Sequence, residues 1–349
     1  MFGPAKAQPA TALASPGHRT GSDLPYGVNL VTTICALAGP PNYLNNLRTS
    51  ARKNGLIRAV QTHDSPALFE WFVSAASFQG ISDSVAASYM ERHGQARWKD
   101  LQGALAGDPS CPKLASYWQF YGCQYHKGSG TCAEPEHIET CPLPALPLRN
   151  GSLNKLAYSL FLFIRDLADG DLVAWIDDQL AMADQGPSLH RLGAMGQALI
   201  EPLRNIHGLS DKVLNMVLAN LLLGAGHGKA RWVETGGSLL AIDTLVHNFL
   251  ARTGILKRGN AHHVYGPQCY GPGGCAEVLR AVSGAIDARQ FNAAFPADFP
   301  RFIQTAIWLY CAAEALNVCN GNKIDDSRQC VNTECRIYGI CDRIVLKNA

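Results

Sequence analysis

The sequence lacks any run of about 18 consecutive apolar residues, so no segment reads as crossing a membrane. Its opening stretch, MFGPAKAQPATALASPGHRTG, is rich in Ala, Pro, Gly and Ser and has no long apolar centre. It does not read as a secretory signal. Sparse basic residues give little support to a transit peptide, and residues 1–24 are expected to be a disordered tail. Alternating β-branched residues are scarce, which argues against a sandwich or barrel. No repeat of fixed period is present, which argues against a solenoid. Excess charge is lacking as well. Lys and Arg number 30 against 28 acids, for a net charge of +2, which argues neither for nor against a nucleic-acid partner.

What is present is a globular composition, 47% apolar and 17% charged. A chain of 349 residues exceeds one minimal domain, so two closely packed domains are expected. Basic residues are locally concentrated. Residues 1–60 carry six against one acid, and residues 201–260 carry seven against four. A basic face that contacts phosphates and ordinary solvated charge account for these counts equally well.

Apolar spacing and Gly/Pro punctuation predict a mainly helical chain. Leu68, Phe69, Phe72, Val73 and Ala76 share a helical face, and a second helix from Ser84 to His93 stops at Gly94. Residues 107–150 read as loop. Leu153 to Leu180 reads as helix broken at Gly170. Further helices are expected over 188–223, 244–252 and about 299–318, with a Gly/Pro/His-rich loop over 259–275.

The most informative stretch is IHGLSDKVLNMVLANLLLG, residues 206–224. Val213, Leu214, Val217, Leu218, Leu221 and Leu222 form one apolar face. Ser210 suits an N-cap and Gly224 a C-terminal stop. With the amphipathic helix over Leu189–Leu203 it makes a hairpin whose tight turn exposes backbone N–H groups to a phosphate. Lys212 falls in the first turn of the second helix, where the helix dipole disfavours the ammonium and favours the free amine that nucleophilic chemistry needs. The plain alternative is an exposed lysine. Downstream, in AIDTLVHNFLARTGIL (241–256), Asp243 opens a helix with Leu245, Val246, Phe249 and Leu250 on its apolar face. On its own it reads as an N-cap.

Taken together, GLSDKVLNMVLANLLL and AIDTLVHNFLARTGI resemble the helix-hairpin-helix signature of the endonuclease III and 8-oxoguanine glycosylase superfamily. LFEWFVSAASFQGISDSVA (68–86) is similar to that family's first barrel helix. The resemblance implies an all-α chain of two helical domains. Residues 65–236 would form a helical barrel with the hairpin and a cysteine-containing insert at 107–150. Residues 25–64 plus 237–349 would form the second domain. It implies Asp243 as catalytic carboxylate, Lys212 as candidate nucleophile, and Gln79, Gly208, Leu209 and Ser210 as DNA-binding residues. The implied activity is base excision from double-stranded DNA, with Schiff-base lyase chemistry if Lys212 reaches the sugar. The partner is DNA, with no membrane, acting as a monomer. Such a chain would sit with the bacterial nucleoid in the cytoplasm, or in the nucleus or an organelle of a eukaryote. Two departures bear on this. Ser210 stands where the family has a second glycine, and the segment 224–237 widens the interval from lysine to aspartate. The other classes open to the sequence are a non-catalytic DNA-binding hairpin protein and an iron–sulfur redox or sensor protein.

Twelve cysteines are many for a chain without a secretion signal, and clustered ones then bind metal more often than they pair. Cys319, Cys330, Cys335 and Cys341 form C-x10-C-x4-C-x5-C after the last helix, where several superfamily members carry an iron–sulfur loop. A [4Fe–4S] cluster suits four thiolates there; zinc and free thiols are the alternatives. Cys111, Cys123, Cys132 and Cys141, with His126 and His137 among them, fit either a second site holding zinc or an iron–sulfur cluster, or buried cysteines. His262, His263, Cys269 and Cys275 also offer ligands, but their Gly/Pro-rich surroundings read as irregular loop, and they are left unassigned.

Overall fold

The computed structural model describes residues 24–78, 83–107, 109, 111–188 and 190–347. Residues 1–23 of the expected tail and Gln79 therefore lie outside the described residues, whereas Leu24, the last residue of that expected tail, opens a helix. Among the described residues there are sixteen α-helices, five short 3-10 helices and no strand; the one β-bridge joins His126 and Thr131. No described helix is long and apolar enough to cross a membrane. The helices are α1 (Leu24–Ala38), α2 (Tyr43–Lys53), α3 (Leu56–Gln61), α4 (Ser65–Ala76), α5 (Asp83–His93), α6 (Trp98–Ala104), α7 (Tyr117–Phe120) and α8 (Gly151–Asp166). They continue with α9 (Leu172–Ala183), α10 (Arg191–Leu203), α11 (Asp211–Ala225), α12 (Ala230–Ser238), α13 (Thr244–Arg252), α14 (Ile255–Arg258), α15 (Cys275–Ser283) and α16 (Pro300–Cys311).

Two apolar cores organise them. The first is centred on α4, α8, α9, α10 and α11, with Phe69, Phe72, Phe163, Leu218 and Trp232 fully buried. The second gathers α1, α13, α15 and α16 around Phe249, Phe299 and Phe302. Helix α11 spans the boundary, with Leu222 in the first core and Leu223 in the second.

The hairpin is α10, a turn and α11. Gly208 sits in the turn at φ +77°, which favours glycine, and a Cβ there would meet Ser152 O at 3.2 Å. Ser210 is at φ −91° and ψ 160°, ordinary extended backbone, so serine in place of glycine carries no strain. Its hydroxyl caps α11 by accepting from Val213 N–H. The six apolar residues of α11 foreseen from the spacing are all buried. At about 1.5–3 kcal/mol each they outweigh a cap of about 1 kcal/mol, so burial decides that the helix forms and Ser210 decides where it starts. Ser210→Ala is accordingly expected to lower stability by about 1 kcal/mol, read as a lower urea midpoint with an unchanged slope. A changed slope would refute a role confined to the cap.

Three expectations needed correction. Gly224 does not stop α11, which continues to Ala225. Its missing side chain instead lets α2 come close, since a Cβ there would touch Ala51 Cβ at 3.1 Å. The last helix ends at Cys311 rather than near 318. The chain folds back on it, with Leu316 N–H donating to Leu309 O and Val318 N–H to Tyr310 O. These tertiary bonds override the helical propensity of Ala312–Leu316. The segment 224–237, an insertion by sequence, carries α12. There the fully buried Trp232 donates its indole N–H to Asp177 at 2.6 Å.

Candidate metal centre and carboxylate site

The two cores are joined by Leu239–Ile242, four consecutive buried residues that deliver the chain to Asp243. Asp243 caps α13, accepting from Val246 N–H at 2.9 Å. Burial pushes its carboxyl above the ordinary carboxylate range, while the Val246 amide, Lys212, the Leu245 amide and Trp308 pull the other way. Burial wins, so this carboxylate is ionised at an energetic cost. Lys212, half-buried in the first turn of α11, is close enough for its charge to act on Asp243.

The segment 259–275 reaches the chain next to Asp243 through two tyrosines. Tyr270 accepts from Ile242 N–H at 2.8 Å through its hydroxyl, and burial drives its phenol far above the usual value. Tyr265 is 43% exposed, and the Asp243 charge adds to desolvation in raising its phenol. The carboxylate is thus flanked by an amine, an indole N–H and an exposed phenol. That set can stabilise developing positive charge and move a proton.

One turn along α13, His247 meets the same segment from below. His247, His263, Cys269 and Cys275 offer ligand atoms that all lie within 4.8 Å of one another. His247 Nδ1 is 3.3 Å from Cys275 Sγ and 3.6 Å from Cys269 Sγ, and His263 Nε2 is 3.4 Å from Cys275 Sγ. His263 Nδ1 lies 2.6 Å from Ala261 O, a hydrogen bond that leaves Nε2 to face the sulfurs. Cys275 begins α15, and Cys269 sits in the 3-10 turn Pro267–Tyr270. A hydrogen bond from Cys275, together with one from His247, holds the Cys269 thiol low, at about 3. These four residues can hold a metal ion. Among the described residues, no other set of three or more such side chains is gathered so tightly.

Both four-cysteine groups are also brought together, though more loosely. Cys319, Cys330, Cys335 and Cys341 line one small cavity with Arg252, Arg343 and Tyr338. Burial raises Cys335, and it raises Cys341 to about 11; Cys335 also feels the charge of Cys319 and Cys330, and Cys341 that of Cys319, Cys335 and Cys330. Tyr310 Oη lies 3.1 Å from Cys335 Sγ. Arg252, the last residue of α13, is 2% exposed and pairs with Asp326, yet its Nη1 is buried with no partner. In the insert, Cys141 lies within electrostatic reach of Cys123, Cys111 and Cys132. His126 bonds instead to Ser129 Oγ at 2.9 Å. The insert packs on the hairpin, where His207 Nε2 lies 3.1 Å from Phe120 O and its ring stacks on Tyr121. Trp118 and Tyr121 are each 65% exposed, and Tyr121 stands beside the hairpin turn through its stack on His207.

Sequence reasoning missed His247, Tyr265 and Trp308 as site residues. His247 sits between the apolar positions Val246 and Phe249, which disguises it as helix filler. Its signal is the downstream order His263, Cys269, Cys275, which marks a ligand set once a fourth member is sought. His262, the chain neighbour of His263, is not in the gathered set. Trp175 and Trp232 are core residues, whereas Trp118 is exposed and free to stack on a partner. Compared with protein-family models, curated proteins and solved structures, the chain matches none.

Proposed function

We propose that this protein is a DNA glycosylase that removes a damaged or mismatched base. The observation that carries the reading is the pairing of Lys212 with Asp243. They stand 31 positions apart in sequence, in the first turn of α11 and at the N-cap of α13, yet the charge of Lys212 acts on the half-buried Asp243. In this reading the exposed backbone of Gly208 to Ser210 docks a DNA phosphate, and Trp118 and Tyr121 extend the contact surface. The target nucleotide is extruded, because its glycosidic carbon is out of reach in the stack. Asp243, as carboxylate, stabilises the oxocarbenium-like sugar. Lys212 attacks C1′ through its free amine. The base leaves with the bonding pair and takes up a proton, and loss of the amine proton with opening of the sugar gives a Schiff base. β-Elimination then breaks the 3′ C–O bond. Where the amine does not reach C1′, water takes its place and the strand is not nicked.

The cavity shared by Cys319, Cys330, Cys335 and Cys341 suits a [4Fe–4S] cluster. An anionic cluster with four thiolates would answer the unpartnered Nη1 of Arg252. The cluster would supply a scaffold around the end of α13, and base removal runs on Asp243 and Lys212. The group Cys111, Cys123, Cys132 and Cys141 would staple the insert, with zinc or an iron–sulfur cluster, beside the hairpin.

The test is borohydride trapping on duplexes carrying oxidised, alkylated or mismatched bases. A covalent protein–DNA adduct is expected with the parent protein and lost in Lys212→Gln, a drop to background. Base release that survives Lys212→Gln but not Asp243→Asn means a water nucleophile. Salt-dependent binding without release from any lesion would overturn the enzyme reading in favour of a DNA-binding hairpin protein.

A further inference from the structure

We propose that His247, His263, Cys269 and Cys275 bind one zinc ion, as a closed structural site that fastens the segment 259–275 onto α13. Tetrahedral zinc with bonds of about 2.3 Å to sulfur and 2.0–2.1 Å to nitrogen separates its ligand atoms by about 3.4–3.8 Å. The N···S distances here, 3.3, 3.4 and 3.6 Å, already stand near that edge length. The donor set selects the ion, since two imidazoles and two thiolates in tetrahedral array suit zinc. Charge agrees as well. Two thiolates cancel a divalent ion, so a neutral unit sits where His247, Cys269 and Cys275 are almost wholly buried. The surrounding bonds are those of a ligand shell. Ala261 O fixes the His263 ring, the Gly266 amide donates to Cys269, and Cys275 opens α15, whose N-terminus favours a thiolate.

Four protein ligands leave no open coordination position, so the ion holds structure and does no chemistry. The need for it is local. Between α14 and α15 the chain has only one 3-10 turn, and Gly266 and Gly273 take positive φ. A segment that buries so little of its own needs an external fastener. The same segment carries Tyr270, which grips the backbone before Asp243, and Tyr265 beside the carboxylate. Zinc would therefore hold in place the segment that carries both tyrosines. The zinc assignment itself does not depend on the glycosylase reading.

The experiment is metal analysis of the full-length chain, with zinc and iron counted separately per chain. The parent is expected to hold a zinc equivalent that a Cys269→Ser/Cys275→Ser double variant loses, with iron unchanged. His263→Cys keeps a four-ligand set and is expected to retain zinc, whereas His263→Ala releases it. Cobalt added to the zinc-stripped parent is expected to give thiolate charge-transfer bands and tetrahedral d–d bands, with one cobalt equivalent of that intensity lost in the double variant. Stripping zinc should also open a protease site within 259–275. Equal zinc in the parent and the double variant would overturn the proposal. So would a parent without zinc whose Cys269 and Cys275 alkylate freely, or one that shows a Cys269–Cys275 disulfide.

Discussion

Asp243→Asn is expected to lower base release by on the order of 10³-fold while leaving the protein at least as stable as its parent. The two halves of this expectation have separate causes. Asparagine caps helices as well as aspartate does, so its side-chain oxygen keeps the bond from Val246 N–H and α13 retains its start. The charge that would face an oxocarbenium-like sugar is lost. Stability follows from linkage. Burial raises the folded carboxyl above the unfolded value of about 3.9, so the folded state holds its proton longer than the unfolded state does. Stability therefore falls as pH rises through the window between the two values, and the whole cost is present at neutral pH. The asparagine amide escapes it. Urea midpoints at neutral pH check this half, and single-turnover base release checks the other. The acid limb of the parent's rate profile is expected above the ordinary aspartate range. A variant that is both inactive and unstable would make Asp243 a structural cap and nothing more.

Gly274→Ala is expected to strip the metal from the His247 site without altering any ligand. Gly274 has ordinary φ, so backbone conformation is not the obstacle. Space is. A Cβ there would lie 2.1 Å from Gln268 O and 2.8 Å from the carbonyl carbon and oxygen of Cys269. These are backbone atoms and cannot swing away as a side-chain tip can. The 3-10 turn that presents Cys269 must move, and Cys275 follows the substituted residue directly. Overpacking of this kind costs about 1–3 kcal/mol, but the greater effect is on the ligand set, which tolerates only small displacements. Zinc per chain is expected to fall as it does in the Cys269→Ser/Cys275→Ser double variant. Gly273→Ala is a useful contrast. It meets no atom within 4 Å, but it sits at φ +72°. It should cost stability through backbone strain while retaining zinc. Full zinc in Gly274→Ala would mean that the turn has room the packing denies.

Helices with strong periodicity were legible from sequence. Thr244–Arg252 was bounded correctly because Asp243 is a cap and the apolar stripe follows it at once. The break at Gly170 was equally plain, since that residue takes φ +79°. Gly224 misled for a physical reason. Glycine serves both as a helix stop and as a gap for a neighbouring helix, and only the approach of α2 decides between them. The end of α16 misled because Ala312 to Leu316 has helical propensity, while the returning chain offers its backbone bonds elsewhere.

The sequence by itself determined the helical class, the hairpin with its Ser210 cap, the position of Asp243 at a helix start and the grouping of cysteines in two stretches. All of these are local, fixed by residues within a turn or two of one another. Only the tertiary structure decided which side chains share a site. It brought Lys212 near Asp243, set Arg252 into the cavity of the C-terminal cysteines, and joined His247 on a helix to His263, Cys269 and Cys275 on a loop. A ligand set is a matter of distance in space. When one member lies on a helix and three on an irregular segment, no period in the sequence encodes that distance.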